Sequence, residues 1–212
     1  PKPFANLTGN GCHAHVSVWD KSGKRNLFHH ARDDLGLSKL AYQFLGGVLH
    51  SADALTALFN PTVNSYKRID AQVTLSGATW SPNAITYGGN NRTHMVRVPE
   101  AGRFEMRLMD GAANPYLLQA GVLMAGLDGV ANKRDPGKPL EINMYTEGQN
   151  LRGIRRLPSN LLDAIRVFEK SKVIRDGLGD ALVDSYAKLK YSDWRRYAAA
   201  ISPWEREHTL DC

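Results

Sequence analysis

The stretch Arg103-Phe104-Glu105-Met106-Arg107 alternates charged and apolar residues, and the stretch His13-Ala14-His15-Val16-Ser17 alternates polar and apolar ones in the same way. Successive side chains of a strand point to opposite faces, so each stretch predicts a strand with a polar face and an apolar face. Two imidazoles, a carboxylate and two guanidinium groups are too polar to be buried without partners. The pattern therefore predicts the floor of a site that takes a divalent metal and an anion.

The rest of the chain places strands before helices, which favours an α+β fold with an antiparallel sheet layered with helices and a helical C-terminal region. The 212 residues suffice for one large domain or two small ones. Apolar spacing, glycines and prolines predict the elements. These are two strands within 1–28 around a turn at Lys21–Lys24, a helix over 38–58, strands over 92–109, a buried helix from Asn114-Pro115 to 132, and helices over 160–176 and 180–200.

Composition excludes several classes of function. The net charge is +6 and the sequence pI is about 9.4, but the arginines are dispersed instead of forming a basic stripe, so a nucleic-acid binder ranks last. No apolar run is long enough for a membrane span, and two cysteines without a CxxC pair fit a reducing, cytoplasmic setting. The chain begins with Pro1 and runs directly into the histidine stretch, so we expect that an upstream region is missing.

An ordered set of motifs resembles the catalytic domain of glutamine synthetase over most of residues 1–145. A single HxH motif would be weak evidence for a family, but six motifs in the same order are specific evidence. The motifs are Gly9-Asn10-Gly11-Cys12-His13-Ala14-His15-Val16-Ser17, Asn60-Pro61-Thr62-Val63-Asn64-Ser65-Tyr66-Lys67-Arg68, Asn91-Arg92-Thr93-His94-Met95-Val96-Arg97, Arg103-Phe104-Glu105-Met106-Arg107, Ala112-Ala113-Asn114-Pro115-Tyr116 and Leu123-Met124-Ala125-Gly126-Leu127-Asp128-Gly129.

The resemblance implies a fold and a domain assignment. The chain would be the C-terminal portion of the family's catalytic, guanido kinase-like domain, without the N-terminal small domain and the first part of the catalytic domain. Within it, residues 1–132 would form the active-site sheet and core helices, 133–159 a connecting loop and 160–212 the C-terminal helices.

The resemblance also implies roles for individual residues. His13 and Glu105 would be ligands of a Mg²⁺ or Mn²⁺ ion that coordinates the nucleotide phosphates. A guanidinium fork matches a carboxylate, and a glycine allows close backbone approach. By motif position, Gly9, Arg68 and Arg107 would hold glutamate, His15, Ser17, Arg97 and Arg103 would line the ATP site, and Arg92 would stabilise the transferring phosphoryl group.

The implied reaction joins L-glutamate to ammonia at the expense of ATP through a γ-glutamyl phosphate. The full-length protein would be a homo-oligomeric ring, expected to be a dodecamer, and would need neither nucleic acid nor a membrane. The family's other metal-binding glutamates lie upstream, so the 212-residue chain alone is expected to be inactive. Tyr145 matches a tyrosine that some relatives adenylylate, but its neighbours differ, so regulation by that route is not claimed.

One departure from the family pattern leaves the amine open. Trp80 falls roughly where family members carry the glutamate of a flexible flap, and Trp cannot accept a proton. Asp70 is the only acid nearby. An aromatic lid would admit a larger amine, so glutamate–methylamine ligase is the alternative function. It is equally open whether Trp80 simply packs in the core. A non-catalytic structural or regulatory relative is a second alternative, disfavoured by the retained charged cluster.

Overall fold

The computed structural model describes residues 1–69 and 81–210 and shows an α+β fold, as predicted. Two single turns of 3-10 helix, Ser65–Lys67 and Gly148–Asn150, lie in connections. The strands are β1 (Ala14–Val16), β2 (Tyr87–Gly88), β3 (Val96–Glu100) and β4 (Arg103–Met106); the helices are α1 (Lys39–Phe59), α2 (Pro115–Ala131), α3 (Leu161–Lys170), α4 (Lys172–Leu178), α5 (Asp180–Ala198) and α6 (Pro203–His208).

The four strands form one sheet in the order β1-β4-β3-β2. β4 pairs antiparallel with both β1 and β3, which agrees with the antiparallel sheet expected from the order of strands and helices. The short β2 pairs parallel with β3, so the sheet is mixed and not wholly antiparallel. Gly102 turns the chain between β3 and β4 at a φ of 78°, a left-handed value that favours glycine. The predicted second strand near the N terminus is reduced to an isolated bridge between Trp19 and Asn26.

The apolar face of the sheet packs on the helices. Phe104 and Met106 of β4 are fully buried. The ring of Phe104 stacks on Phe28 at 5.9 Å, and Phe28 meets Phe44 of α1 edge-on at 5.4 Å. Because this core fixes β4, the side chains on the opposite face of the strand are held in place.

Helices α1 and α2 begin close to the positions that the sequence predicts. Ser38 caps α1 by accepting from the Ala41 amide, and Asn114 caps α2 ahead of Pro115. The expectation that α2 is buried is wrong for one face, because only its small-residue side packs on α1. A Cβ at Gly47 would lie 2.0 Å from the Ala125 carbonyl oxygen, which shows how closely the backbones approach. The opposite side of α2 is exposed at Tyr116, Leu123 and Leu127.

The C-terminal region is helical, as predicted, but the helix predicted over 160–176 is broken. Asn160 caps α3, and Ser171 both ends α3 and caps α4 through its Oγ. A serine oxygen that accepts from the Ile174 amide satisfies a donor at the new helix start, so the break costs little. Within residues 1–69 and 81–210, no helix is long and apolar enough to cross a membrane.

Candidate active site

The strand register places the polar residues of three strands side by side. His15 of β1 lies opposite Glu105 of β4, and Glu105 lies opposite Arg97 of β3. Directly opposed residues project on the same face. Along β1 and its continuation, the odd-numbered residues are exposed and the even-numbered ones half-buried, so His13, Ser17 and Trp19 share the face of His15. The sheet face predicted from the alternating patterns therefore exists.

Glu105 lies at the centre of this face and is only 3% exposed. Its Oε1 is 3.0 Å from His13 Nδ1 and accepts a 3.0 Å hydrogen bond from Arg107 Nη1. His15 Nε2 lies 3.9 Å from the same oxygen. A buried carboxylate is stable only when charges and donors compensate it, and here two cationic and two imidazole side chains surround one acid. The face therefore carries an excess of positive charge.

The second oxygen of Glu105 is less well satisfied. Arg97 Nε approaches Oε2 to 2.9 Å as an ion pair, but the alignment does not make a hydrogen bond. Among the described residues, both atoms are buried without a hydrogen-bond partner. Buried polar atoms in this state have capacity for a further partner. A divalent cation at Oε2 would satisfy it, so the residues fit part of a metal site.

The described ranges contain no group of three or more His, Cys, Asp or Glu side chains arranged to hold a metal. His13 and Glu105 would by themselves provide only part of a ligand set. Burial lowers the pKa of His13, and Arg107 lowers it further against the opposing effect of Glu105. A neutral imidazole is the form that binds a metal. A Cβ at Gly11 would lie 3.4 Å from Arg68 Nη1 and 3.9 Å from His13 Nε2, so this glycine lies beside both side chains.

Arg107 interacts both with Glu105 and with Tyr145, which lies in the segment that follows α2. Burial lowers the pKa of Arg107 while Glu105 and Tyr145 counteract the effect, which places Tyr145 within electrostatic range. Tyr145 is about half exposed. The phenol therefore belongs to the rim of the site.

Arg103, His15 and Ser17 lie together along the β1–β4 edge. Arg103 Nε donates to Glu100 Oε1 at 2.6 Å, and its Nη1 contacts His15 Nδ1. Ser17 Oγ accepts a 3.1 Å hydrogen bond from Trp19 Nε1. Trp19 was missed at the level of sequence, although it continues the odd-numbered alternation and is 50% exposed.

Arg68 and Gly9 lie below the surface of the face. Arg68 is 5% exposed, and its Nη2 donates to the carbonyl oxygens of Leu108 and Met109 at 2.7 and 2.8 Å. A Cβ at Gly9 would lie 2.7 Å from the Pro1 carbonyl oxygen and 3.0 Å from Arg68 Cγ. Neighbours within the chain thus already require glycine there. Burial lowers the pKa of Arg68, and Asp110 partly offsets this.

A buried polar cluster beneath Arg68 was also missed at the level of sequence. Asp110 is fully buried, and Asn60 Nδ2 donates to Asp110 Oδ2 and to the Leu108 carbonyl oxygen. Asp110 also forms a β-bridge with Gly11. The position of Asn60 before Pro61 was the available signal, but its partners come from distant segments.

Arg92 is not part of the Glu105 cluster. It is exposed and forms no ion pair with any residue in 1–69 or 81–210. Trp80 and Asp70, on which the question of the amine rests, lie outside the described residues.

Comparisons with known proteins identify the family of the chain. Residues 1–209 match the family described as glutamine synthetase, catalytic domain. The chain is 54% identical over 211 residues to a glutamine synthetase of Rhizobium leguminosarum bv. phaseoli, and 50% identical over 216 residues to a glutamate–methylamine ligase of Methyloversatilis universalis. All of the chain but only 48% of each relative is covered, so the chain spans about half the length of these curated relatives.

Solved structures give the same likeness. A structure described as a GmaS/ADP complex superposes with a TM-score of 0.93 at 58% identity, covering 100% of this chain and 48% of that one. A structure described as GmaS without ligand gives a TM-score of 0.91 at 55% identity, covering 100% and 47%.

Proposed function

This chain belongs to the glutamine synthetase catalytic-domain family, and from that premise we propose that the protein carrying it is an ATP-dependent ligase that forms the γ-amide of L-glutamate with ammonia. The observation that supports this most is the buried carboxylate at the centre of the sheet face, Glu105, which lies 3.0 Å from His13 Nδ1 and is paired with Arg97 and Arg107. One acid amid several cations suits a site that receives two anions together with a metal.

His13 and Glu105 would hold one Mg²⁺ or Mn²⁺ ion, which supplies charge neutralisation for the nucleotide phosphates. Arg97 and Arg107 pair with Glu105. If Glu105 held a metal ion, part of each guanidinium would become available to substrate oxygens. The partial ligand set in the described residues agrees with further ligands from elsewhere in the full-length protein, and with an isolated chain that is inactive.

The arginines divide between the two substrates. Arg97 of β3 and Arg103 of β4 orient the phosphates of ATP. Arg107 presents its guanidinium fork to the carboxylate of glutamate. Arg68 supports the glutamate side from beneath, where its buried guanidinium adds positive potential under Gly9. The exposed Arg92 stabilises the transferring phosphoryl group once the nucleotide is bound.

His15, Ser17 and Trp19 form the nucleotide edge of the site. The Trp19 indole is held by its hydrogen bond to Ser17 and presents an exposed aromatic surface on the same face as His15. An adenine ring stacks on such a surface. We therefore place the base of ATP against Trp19 and its phosphates toward Arg103.

The proposed reaction has two steps. A γ-carboxylate oxygen of glutamate attacks the terminal phosphorus of ATP, the bond to ADP breaks, and γ-glutamyl phosphate forms. The amine nitrogen then attacks the γ-carbonyl carbon, phosphate leaves, and the nitrogen loses a proton. Pre-oriented guanidinium groups hold the phosphoryl oxygens through both steps, which lowers the barrier without reorganisation.

A glutamate–methylamine ligase is the second candidate. The specific observation that favours it is the 50% identity over 216 residues to the glutamate–methylamine ligase of Methyloversatilis universalis, which is close to the 54% identity to the rhizobial glutamine synthetase. The same Glu105 centre serves both reactions, since they differ only in the nitrogen nucleophile. A homo-oligomeric ring, expected to be a dodecamer, is proposed for either enzyme.

The deciding experiment assays the full-length protein with saturating ATP, glutamate and Mn²⁺, and measures phosphate release and γ-amide formation with ammonia and with methylamine. The proposal expects turnover with ammonia as the better substrate; a preference for methylamine selects the second candidate. Absence of amide with every amine, in a protein that is folded and oligomeric, would exclude ligase function.

A further inference from the structure

A second charged cavity lies in the helical layer and shares no residue with the Glu105 face. This cavity, the α1–α4 cleft, has a volume of about 800 Å³ and is open to solvent. Its walls come from α1, the end of α2, the connection near Arg155, and the α3–α4 break.

The charges that line the cleft do not cancel. Five bases, Arg134, Arg155, Arg166, Lys170 and Lys172, face three acids, Asp53, Asp128 and Asp176. Each of the three acids is already paired, with Arg155, Arg134 and Lys172 respectively. Arg166 pairs with Asp163, outside the lining, and Lys170 forms no ion pair with any described residue. The lining therefore has two more cations than anions.

Two of the guanidinium groups are fixed before any ligand arrives. Arg155 donates to the carbonyl oxygens of Leu49 and His50 and to Asp53 Oδ2. Arg134 contacts both carboxylate oxygens of Asp128, at 2.5 and 3.4 Å. Groups that are already ordered lose little entropy on binding, which favours affinity.

Local backbone strain contributes to this arrangement. Lys133 has a φ of 51°, a left-handed value that costs energy in a residue with a side chain. The Arg134 amide donates to the Gly129 carbonyl oxygen, which ends α2 with a tight turn. A Cβ at Gly46 would lie 2.6 Å from the Arg134 carbonyl oxygen. The turn therefore places Arg134 close against α1, at the wall of the cleft.

We propose that the α1–α4 cleft is a binding site for a small phosphate-bearing anion, separate from the proposed active site. The bases approach from four chain segments, which suits a phosphate group with oxygens in several directions better than a planar carboxylate. The cleft has room for a diphosphate or a phosphorylated metabolite.

His50 gives this site a measurable signature. Burial lowers the pKa of His50, Arg134 and Arg155 lower it further, and Asp128 and Asp53 raise it. A bound anion opposes the effect of the two arginines and raises the pKa of His50. Binding is therefore expected to take up a proton near neutral pH, and affinity to increase as pH falls toward 6.

The test is calorimetric titration of the full-length protein with inorganic pyrophosphate, in two buffers of different ionisation enthalpy and without added metal. All measurements use the Arg97→Gln variant as background, because the proposed nucleotide face also attracts phosphates. The expected result is binding that persists in this background with net proton uptake. Lys170→Gln should weaken it about tenfold, the effect of losing one charge-assisted hydrogen bond.

Lys188→Gln is the matched control, since Lys188 is exposed on α5 and does not line the cleft. It should leave affinity unchanged. His50→Gln should retain binding and take up fewer protons than the same background with His50, because the titration of pyrophosphate itself is common to both proteins. The proposal is wrong if the Arg97→Gln protein binds no pyrophosphate at millimolar concentration, if Lys188→Gln weakens binding as much as Lys170→Gln, or if His50→Gln leaves the number of protons exchanged unchanged. Tighter binding of citrate than of pyrophosphate would overturn the assignment to phosphate. None of these results depends on ligase activity.

Discussion

His15 of β1 and Glu105 of β4 are direct cross-strand partners although they are far apart in the sequence. This pairing places the polar alternation of one strand on the same face as that of the other. The imidazole of His13 and the carboxylate of Glu105 consequently meet at 3.0 Å. The candidate active site depends on this one register.

The first prediction concerns His13. In the full-length protein, His13→Ala removes a ligand and is expected to weaken Mn²⁺ and lower turnover at least about a hundredfold. Mn²⁺ titration and steady-state phosphate release measure the two effects. His30→Ala, which removes an exposed imidazole elsewhere, is the control and should change neither. Normal turnover in His13→Ala would remove His13 from the metal site.

The second prediction separates the substrates at Arg107. Arg107→Lys keeps the charge but removes the fork, so the KM for glutamate is expected to rise about tenfold or more while the KM for ATP changes little. Steady-state kinetics with each substrate varied in turn measure this. An equal rise in both KM values would contradict the assignment of Arg107 to glutamate.

The third prediction concerns Trp19. Trp19→Ala removes the proposed stacking surface and is expected to raise the KM for ATP by about tenfold, the loss of roughly 1–1.5 kcal/mol of aromatic contact. Trp19→Phe keeps a ring and should recover most of the affinity. If Trp19→Ala binds ATP as well as the parent protein, the base lies elsewhere.

The sequence predicts the faces of the strands better than it predicts their partners. Because side chains alternate along a strand, the sequence predicts which residues share a face with His13 on one strand and with Glu105 on the other. The register between the two strands depends on the packing of Phe104 against α1, which the local pattern does not contain. The parallel β2 of two residues carries no such pattern, so the mixed sheet could not be foreseen.

The sequence likewise does not predict which arginines are buried. Nothing local distinguishes Arg68, which donates to two carbonyl oxygens after β4, from Arg92, which is exposed. The partners that bury Arg68 come from a segment forty residues away. The exposure of one face of α2 has the same origin, because its composition is apolar all round and only packing on α1 selects the buried side.

A fourth prediction follows from His94. This side chain is fully buried beside Thr86, and burial lowers its pKa, which the carbonyl oxygens of Ile142 and Leu140 only partly oppose. The unfolded chain binds the proton more readily, so this contribution to stability is complete above about pH 6.5 and is lost as pH falls below it. Chemical unfolding between pH 5 and 8 should show this decline. His94→Gln is expected to flatten it, and His30→Gln should not; an unchanged pH dependence in His94→Gln would contradict the prediction.

The most direct test of the central claim is pulsed electron paramagnetic resonance of Mn²⁺ bound to the full-length protein with ADP. The account predicts nitrogen hyperfine coupling from one histidine imidazole. That coupling should disappear in His13→Ala and persist in His15→Gln, and Glu105→Gln should weaken the bound Mn²⁺. Coupling that is unchanged in His13→Ala, or Mn²⁺ affinity that is unchanged in Glu105→Gln, would show that these two side chains do not share a cation.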